Sequence, residues 1–149
     1  MQPGLVLTSE HLDQITAHIE TCLPEEACGL IGGIDGSSRL VIAVENILHS
    51  AVRFQMAPLE QLKAMDEIEL RGWELLAIFH SHPKGPAVPS ATDIAEFYYP
   101  GTRVIIASPI DQKPVLPSPV EGLGWGKWSI RAFVIDNNQV DEVKLGLAV

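Results

Sequence analysis

The sequence has few cysteines and no long apolar run. Two of its 149 residues are cysteine, Cys22 and Cys28, which is too few for a disulfide framework or an all-cysteine zinc site. We expect both to be reduced thiols. No apolar segment approaches the ~18 residues that suggest a membrane span. The first ten residues, "MQPGLVLTSE", lack the charged region and apolar run of a signal peptide. These absences predict a cytoplasmic protein that does not enter a membrane.

Basic residues are also scarce. There are 10 Lys and Arg against 19 Asp and Glu, which gives a formal net charge of -9 and a sequence pI of about 4.9. A nucleic-acid-binding protein needs a basic patch that displaces counterions. Anionic membranes attract basic segments for the same reason. The charge therefore argues against nucleic acid and membrane surfaces as partners.

Helical and extended patterns alternate along the chain. The length and the hydrophobic fraction of 46% fit one α/β domain with its own core. The run "WELLAIF" predicts a central strand that is buried on both faces. The other predicted strands are "ACGLIGGI", "RLVIAVENI", "TRVIIAS", "KWSIRAFVID" and "QVDEVKL", with "AVRFQM" as a further candidate.

Three helices are predicted, over about 8–23, from Pro58 to Arg71, and over about 91–99. Pro58 lies at a first-turn position where its missing N–H does no harm. Gly72 is a typical residue for ending the second helix. The predicted buried stripe of that helix consists of Leu59, Leu62, Met65 and Ile68.

The segment 109–126, "PIDQKPVLPSPVEGLGWG", is rich in proline and glycine. Such a composition resists regular structure, and long loops in compact domains are often binding loops. Two interpretations remain open: a flexible flap, in which Trp125 grips an extended substrate, and a tolerated surface insertion.

Two histidines follow the predicted central strand. His80 and His82 are two residues apart, so in an extended segment their side chains point to the same face. Two imidazoles on one face can bind one metal, and the carboxyl edge of an α/β sheet is where sites usually form. The alternative is a polar loop with solvated histidines. The remaining histidines, His11, His18 and His49, are expected to be solvated.

The stretch "SATD" follows soon after. Ser90 and Asp93 have the spacing of a capping box at the start of a helix, with Asp in place of Glu. This role does not conflict with metal binding by Asp93. Two histidines and one carboxylate would supply three ligands and leave a fourth position open for water, as catalytic zinc requires.

Together these residues form a pattern: histidine, any residue, histidine, proline, six residues, serine, two residues, aspartate. The pattern resembles the signature of the JAMM metalloproteases, the catalytic branch of the MPN domain family. Members also carry a glutamate in a stretch like "PEEACGLIGG", where the match falls on Glu26. Glu25 is expected to be solvated. The resemblance implies a single MPN (JAMM) domain over 1–149, with a mixed, curved β-sheet flanked by helices.

The resemblance also implies a mechanism. His80, His82 and Asp93 would bind Zn²⁺, which lowers the pKa of water to about 7 and polarises the scissile carbonyl. Glu26 would transfer a proton from water to the departing amine. Ser90 would donate a hydrogen bond to the oxyanion, unless it serves only as a helix cap. Ser81 is expected to point to the opposite face, in a structural role.

JAMM enzymes cleave peptide or isopeptide bonds next to the C-terminal tail of ubiquitin-like proteins. The sequence is similar to short prokaryotic members that process ubiquitin-like sulfur carrier proteins. We therefore expect a zinc peptidase that trims such a carrier. A deubiquitinase-like isopeptidase is the close alternative. A non-catalytic MPN scaffold in a protein complex is an alternative of another class, although such scaffolds have lost the ligands. A zinc nucleobase deaminase would need a "P-C-x-x-C" ligand pair, which this chain cannot provide.

Overall fold

The structure, a computed structural model, describes residues 4–111, 120 and 122–148. Within these ranges the chain forms nine strands and three helices. In chain order they are β1 (Leu5–Leu7), α1 (Ser9–Cys22), β2 (Cys28–Ile34), β3 (Ser37–Val44), α2 (Pro58–Leu70), β4 (Glu74–Ser81), α3 (Ala91–Ala95), β5 (Arg103–Pro109), β6 (Leu123–Trp125), β7 (Trp128–Asp136), β8 (Gln139–Val143) and β9 (Leu145–Leu147).

All nine strands belong to one mixed sheet, in the order β6-β7-β5-β4-β2-β3-β1-β9, with β8 also paired to β7. The pairs β4–β5, β1–β3 and β1–β9 are parallel, and the other pairs are antiparallel. Because β8 pairs with β7 near one edge and β9 pairs with β1 at the other, the short link through Lys144 brings the two edges together. The sheet is therefore strongly curved, as predicted.

Helix α1 lies inside this curve. Thr8 caps its start by accepting a hydrogen bond from the His11 backbone N–H at 3.0 Å. Leu12, Ile15 and Ile19 are fully buried against strand residues from across the sheet. Burying one such side chain contributes roughly 1.5–3 kcal/mol, so this stripe fixes the helix to the concave face.

Helix α2 packs on the other face, but only part of the predicted stripe is buried. Ile68 is buried and Met65 partly buried, as predicted, together with Ala64, whereas Leu59 and Leu62 are 63% and 57% exposed. The reason is the close approach of Ile68 to β2. A Cβ atom on Gly32 would lie 2.8 Å from the Ile68 Cγ1 atom, so the glycine makes room for this side of the helix. The helix has apolar residues on two sides, and spacing alone could not select the buried one.

Several predicted elements differ in extent. Residues of "AVRFQM" form no strand and contribute only a single bridge, between Met56 and Asn46. The third helix ends at Ala95 rather than near residue 99. Three short strands were not predicted, β1, β6 and β9, because three residues are too few to show a period. The helix end at Gly72 is confirmed, with a positive φ there, and Asn137 and Asn138, which also have positive φ, form the turn between β7 and β8.

The proline- and glycine-rich segment 109–126 is partly regular. Its end forms β6, which pairs with the start of β7, so the prediction of an irregular loop is wrong there. Residues 112–119 and 121 lie outside the described residues, and the flap remains a prediction. Trp125 does not extend toward a substrate in this structure, since its indole N–H donates to Asp13 Oδ1 of α1 at 2.8 Å.

Two expectations of composition can also be compared with the structure. Cys22 and Cys28 are free thiols, as predicted. No helix in the described ranges has the length and apolar character needed to cross a membrane.

Candidate metal centre and catalytic site

His80 and His82 lie at the carboxyl end of β4, between β2 and β5. The His82 backbone N–H donates to the Ala107 carbonyl at 2.8 Å and so continues the β4–β5 pairing one residue beyond the strand. This keeps both histidines extended, with their side chains on the same face. Their Nε2 atoms are 3.1 Å apart. The side chains are buried, at 2% and 9% exposed.

Asp93 completes a trio of close polar atoms. Its Oδ2 atom lies 3.2 Å from His80 Nε2 and 3.0 Å from His82 Nε2. The three atoms therefore form a nearly equilateral triangle. Ligand atoms in a tetrahedral zinc site with bonds of ~2.0–2.1 Å are about 3.3–3.4 Å apart. The triangle thus has the size of one face of such a tetrahedron, and its atoms are the nitrogen and oxygen donors that zinc accepts.

The start of α3 holds Asp93 in this place. The Ser90 hydroxyl accepts from the Asp93 backbone N–H at 3.1 Å, and the Ser90 backbone N–H donates to Asp93 Oδ2 at 2.8 Å. This is the predicted capping box. The same carboxylate oxygen therefore caps the helix and faces both histidines, so the two roles considered for Asp93 are compatible.

The three side chains shift one another's pKa values. Burial acts to raise the pKa of Asp93, but hydrogen bonds from His80 and His82 outweigh it and hold that pKa well below its usual range. Burial acts to lower the pKa of His82, but hydrogen bonds to Asp93 and to the Pro86 carbonyl prevail and raise it. For His80, burial dominates and lowers the pKa. Of the two imidazoles, His82, which faces Asp93, therefore holds a proton more strongly than His80 does.

The two imidazoles are oriented differently. His82 Nδ1 donates to the Pro86 carbonyl at 3.0 Å, which leaves Nε2 as the ligand atom. His80 stacks on Phe54, with ring centroids 4.5 Å apart and planes at 27°. Its Nδ1 atom has no hydrogen-bond partner among the described residues. Stacking on Phe54, together with the Nε2 contacts to Asp93 and His82, holds the His80 ring.

Glu26 reaches the site from a third part of the chain. It lies two residues before β2 and is 3% exposed. Its backbone N–H donates to the Ser50 carbonyl at 2.8 Å, and its carbonyl accepts from the Asn46 side-chain amide at 3.0 Å. Ser81 fixes the next residue: its hydroxyl accepts from the Ala27 N–H at 2.9 Å. These bonds attach Glu26 to β4 beside the histidines.

The Glu26 carboxyl lies close to the two histidines. Ligand atoms of Glu26, His80 and His82 all lie within 4.8 Å of one another. Its Oε1 atom is buried and has no hydrogen-bond partner in the described part of the chain. Burial raises the pKa of Glu26 to about 7, and the charge on His82 partly opposes that effect.

Two ligand sets are therefore conceivable, the histidines with Asp93 or the histidines with Glu26. The Asp93 oxygen contacts both imidazoles at 3.0–3.2 Å, whereas Glu26 is farther away. A carboxyl with a pKa near 7 is also a poorer anionic ligand and a better proton carrier than one whose pKa is depressed. The Asp93 carboxylate is therefore the closer of the two to both imidazoles, and the Glu26 carboxyl is the one whose pKa lies near 7.

Two cavities adjoin the trio on either side. One, of about 380 Å³, is lined by His80 and Asp93 together with apolar and aromatic side chains, among them Phe54 and Tyr99. The other, of about 280 Å³, is lined by Glu26, His82, Ser90 and Lys84 together with apolar side chains. Val52 lines both cavities and is 71% exposed.

Some of these contacts could not be read from the sequence. Asn46 and Phe54 precede α2 and belong to no recognisable motif. The sequence therefore does not indicate that Asn46 contacts Glu26 or that Phe54 stacks on His80. Two predictions of solvated side chains are wrong. His11 Nδ1 lies 2.6 Å from the Ser38 hydroxyl, and His18 Nε2 donates to the Cys28 carbonyl at 3.1 Å. His49 is exposed, as predicted, and its Nδ1 atom lies 2.9 Å from Glu25 Oε1 at the surface.

Comparison with known proteins agrees with this site. A family described as prokaryotic homologs of the JAB domain matches residues 8–119. The chain is 44% identical over 96 residues to a probable TtuB-protein conjugate cleaving protease of Thermus thermophilus, covering 62% of this chain and 64% of that protein. It is 32% identical over 113 residues to a desampylase of Haloferax volcanii, covering 70% and 81%. It is 30% identical over 109 residues to a CysO-cysteine peptidase of Mycobacterium tuberculosis, covering 72% and 75%. The match thus spans less than two thirds of the Thermus protein.

Solved structures show the same fold. The solution structure of DSY2949 from Desulfitobacterium hafniense matches with a TM-score of 0.78 and 34% identity, over 97% of this chain and 92% of that chain. A JAB1/MPN domain protein from Archaeoglobus fulgidus, at 16% identity, matches with a TM-score of 0.58 over 99% and 100%. With its matched sequence, its curved mixed sheet and its MPN-like fold, this chain belongs to the family of prokaryotic JAB-domain proteins.

Proposed function

We propose that this chain is a zinc-dependent peptidase that hydrolyses a bond at the C-terminal tail of a ubiquitin-like protein, and that its reaction is the trimming of a sulfur carrier protein. One observation carries the proposal: His80, His82 and Asp93 present three ligand atoms 3.0–3.2 Å apart, beside a buried Glu26 whose pKa is raised to about 7. Ligands and base together are what a hydrolytic zinc site requires.

The donor set favours zinc. Two imidazole nitrogens and one carboxylate oxygen suit Zn²⁺, whereas Mg²⁺ and Ca²⁺ prefer oxygen ligands alone. Within the described residues no cysteine joins the trio, so the set resembles a catalytic centre rather than a closed structural one. When bound, zinc supplies a Lewis acid that polarises a carbonyl and lowers the pKa of water to about 7.

Glu26 is the proton carrier in this proposal. Its carboxylate takes a proton from the attacking water as the new carbon–oxygen bond forms. It then gives that proton to the departing nitrogen as the carbon–nitrogen bond breaks. A base whose pKa lies near the working pH can do both, and burial raises the Glu26 pKa toward that range. A bound dication would lower this pKa again, so the acidic limb of the rate profile is expected below pH 7.

Ser90 is the oxyanion donor in this proposal. Its hydroxyl accepts one hydrogen bond from the Asp93 N–H, which leaves the hydroxyl hydrogen free to donate. It lines the same cavity as Glu26, and its backbone is fixed by the capping box. A donor held in advance of the reaction stabilises charge that develops only in the transition state.

The choice of substrate rests on relatives. The Thermus protein is named as a probable protease that cleaves TtuB-protein conjugates, and the Mycobacterium protein is named as a CysO-cysteine peptidase. Both names fit the sulfur-carrier class that the sequence resemblance implies. We place the reaction in the cytoplasm, where free thiols such as Cys22 and Cys28 persist. A deubiquitinase-like isopeptidase would use the same residues, because the chemistry at the carbonyl is the same.

The proposal can be tested with a ubiquitin-like carrier extended by one residue after its C-terminal Gly-Gly. Metal content is measured by elemental analysis, and hydrolysis by mass spectrometry. We expect about one zinc per chain in the wild type and in Glu26→Gln. The rate should fall by about 10²–10⁴-fold in Glu26→Gln, because the base is lost while the ligands remain.

Glu25→Gln is the matched control, since Glu25 is the neighbouring carboxyl and contacts His49 instead of the trio. It should retain activity. His82→Ala should lose both zinc and activity. Zinc that is absent from the wild type after reconstitution, or full activity in Glu26→Gln, would overturn the proposal and favour a non-catalytic scaffold.

A further inference from the structure

The cavity that contains Glu26 also contains a lysine whose charge is not used by the fold. Lys84 lies two residues after His82 and is exposed. It lines the cavity of about 280 Å³ together with Glu26, His82 and Ser90. In the described part of the chain it forms no ion pair. In a protein with a net charge of -9, an unpaired cation beside the site is available to an anionic group of a ligand.

The other cavity differs in charge. Its cation, Arg53, is paired with Glu96, with Nη2 and Oε1 2.7 Å apart. The positive charge on that side of the site is therefore already paired. Only the Glu26 cavity offers an unpaired positive charge, among the residues that the structure describes.

The position of Glu26 indicates which part of the substrate would enter the cavity that Glu26 lines. Glu26 must reach the departing nitrogen to deliver a proton, so that nitrogen and the atoms attached to it lie on the Glu26 side. If the departing group is a single C-terminal amino acid, its α-carboxylate is only two bonds from that nitrogen. If the departing group is a lysine side chain of another protein, four methylene groups follow the nitrogen and no carboxylate is near.

We propose that Lys84 binds the α-carboxylate of a departing C-terminal amino acid, and that it thereby favours removal of one terminal residue over cleavage of an isopeptide bond. The inference rests on the proposed function. A cavity of about 280 Å³ is small for a ligand site and fits one residue rather than a folded protein. The ammonium group of a lysine is a point charge on a flexible stem, so it can meet a carboxylate without a fixed geometry.

The test compares two substrates that differ in one charge. Both are the carrier protein with one residue after its Gly-Gly tail, the first with a free C-terminal carboxylate and the second with a C-terminal amide. We measure kcat and KM for the wild type, Lys84→Gln, Lys84→Arg and Lys63→Gln. Lys63 is an exposed lysine on α2 that lines neither cavity, so it serves as the matched control.

We expect the wild type to prefer the free carboxylate by about two- to fivefold in kcat/KM, as an exposed charge pair allows. Lys84→Gln should reduce the preference to about one, mainly through KM for the carboxylate substrate. Lys84→Arg and Lys63→Gln should retain it. The preference should also shrink at high ionic strength.

Other results would overturn the inference. A wild type that cleaves both substrates equally, or a Lys84→Gln variant that keeps the preference, would show that Lys84 does not bind the carboxylate, while the proposed function would stand. A wild type that cleaves neither substrate would overturn the proposed function, and the inference with it.

Discussion

At the scale of single residues, burial strongly raises the pKa of the Glu26 carboxyl. It is buried, its Oε1 atom has no hydrogen-bond partner among the described residues, and its pKa rises from 4.5 to about 7. A carboxyl whose pKa is raised by folding holds its proton more tightly in the folded state. It therefore destabilises the protein once it ionises, and the loss grows as pH rises from about 4.5 to about 7.

This gives a prediction for the metal-free protein. Glu26→Gln keeps the shape of the side chain but cannot ionise, so it should raise the free energy of unfolding by about 2–3 kcal/mol at pH 8. The gain should vanish near pH 4, where Glu26 is protonated in both states. Denaturant unfolding in the presence of a chelator measures the difference. Glu25→Gln, at a half-buried surface position, should show no such gain, and a pH-independent difference for Glu26→Gln would contradict the argument.

At the scale of elements, α3 is too short to be stable by itself and depends on its cap. Five residues lie far below the length at which an isolated helix forms in water. The capping box supplies the missing stability and also places Asp93 against the histidines. None of the residues of α3 is buried. The helix therefore serves mainly to position Asp93, the proposed ligand, and contributes little to the core.

Replacing Ser90 should separate its two roles. Ser90→Ala removes the cap, which should reduce the free energy of unfolding by about 1 kcal/mol. It also removes the proposed oxyanion donor, so kcat should fall by about 10²-fold even at saturating zinc. Thermal unfolding and steady-state kinetics measure the two effects. Ser90→Thr keeps a hydroxyl and should preserve most of both. If kcat recovers fully when Ser90→Ala is saturated with zinc, Ser90 is a cap alone.

The helices and strands were predictable where apolar residues recur at a regular spacing, or where a capping residue, a proline or a glycine marks the end of an element. The long strands, the start of α1 and the turn at Gly72 follow from such signals. The buried side of α2 was not predictable, because the exposed residues Leu59 and Leu62 are as apolar as the residues of this helix that pack against β2. The ligand pattern in "HSHP" and "SATD" was visible because its members are close in the sequence. The anchors of Glu26 were not, because Asn46 and Ser81 are distant from it and carry no local signal.

At the scale of the whole molecule, metal binding is expected to stabilise the fold. The ligands come from β4 and α3, so the site exists only in the folded chain, and a ligand that binds only the folded state stabilises it by mass action. At zinc concentrations 1,000 times the dissociation constant, the gain is about 4 kcal/mol. For a domain of this size that corresponds to a rise in melting temperature of about 8–15 °C.

The size of this rise should depend on pH. Zinc would compete with protons for His82, and because the pKa of His82 is raised, this competition should grow as pH falls. The zinc-induced shift in melting temperature should therefore be larger at pH 7.5 than at pH 6. Differential scanning calorimetry with and without zinc measures it. His82→Ala should show no shift at either pH, and an equal shift at both would contradict the coupling.

The reciprocal pair of hydrogen bonds between Ala27 and Ser81 joins residues 54 positions apart. Glu26 can meet the histidines only after β2 and β4 have paired, and Asp93 only after α3 has docked on the same sheet. Contacts of such long sequence separation form late, because the entropy of closing a long loop opposes them. A partly folded chain, such as one still leaving the ribosome, therefore holds the proposed base and the proposed ligands apart. The proposed proteolytic activity requires the complete fold, and no fragment of the chain should acquire it early.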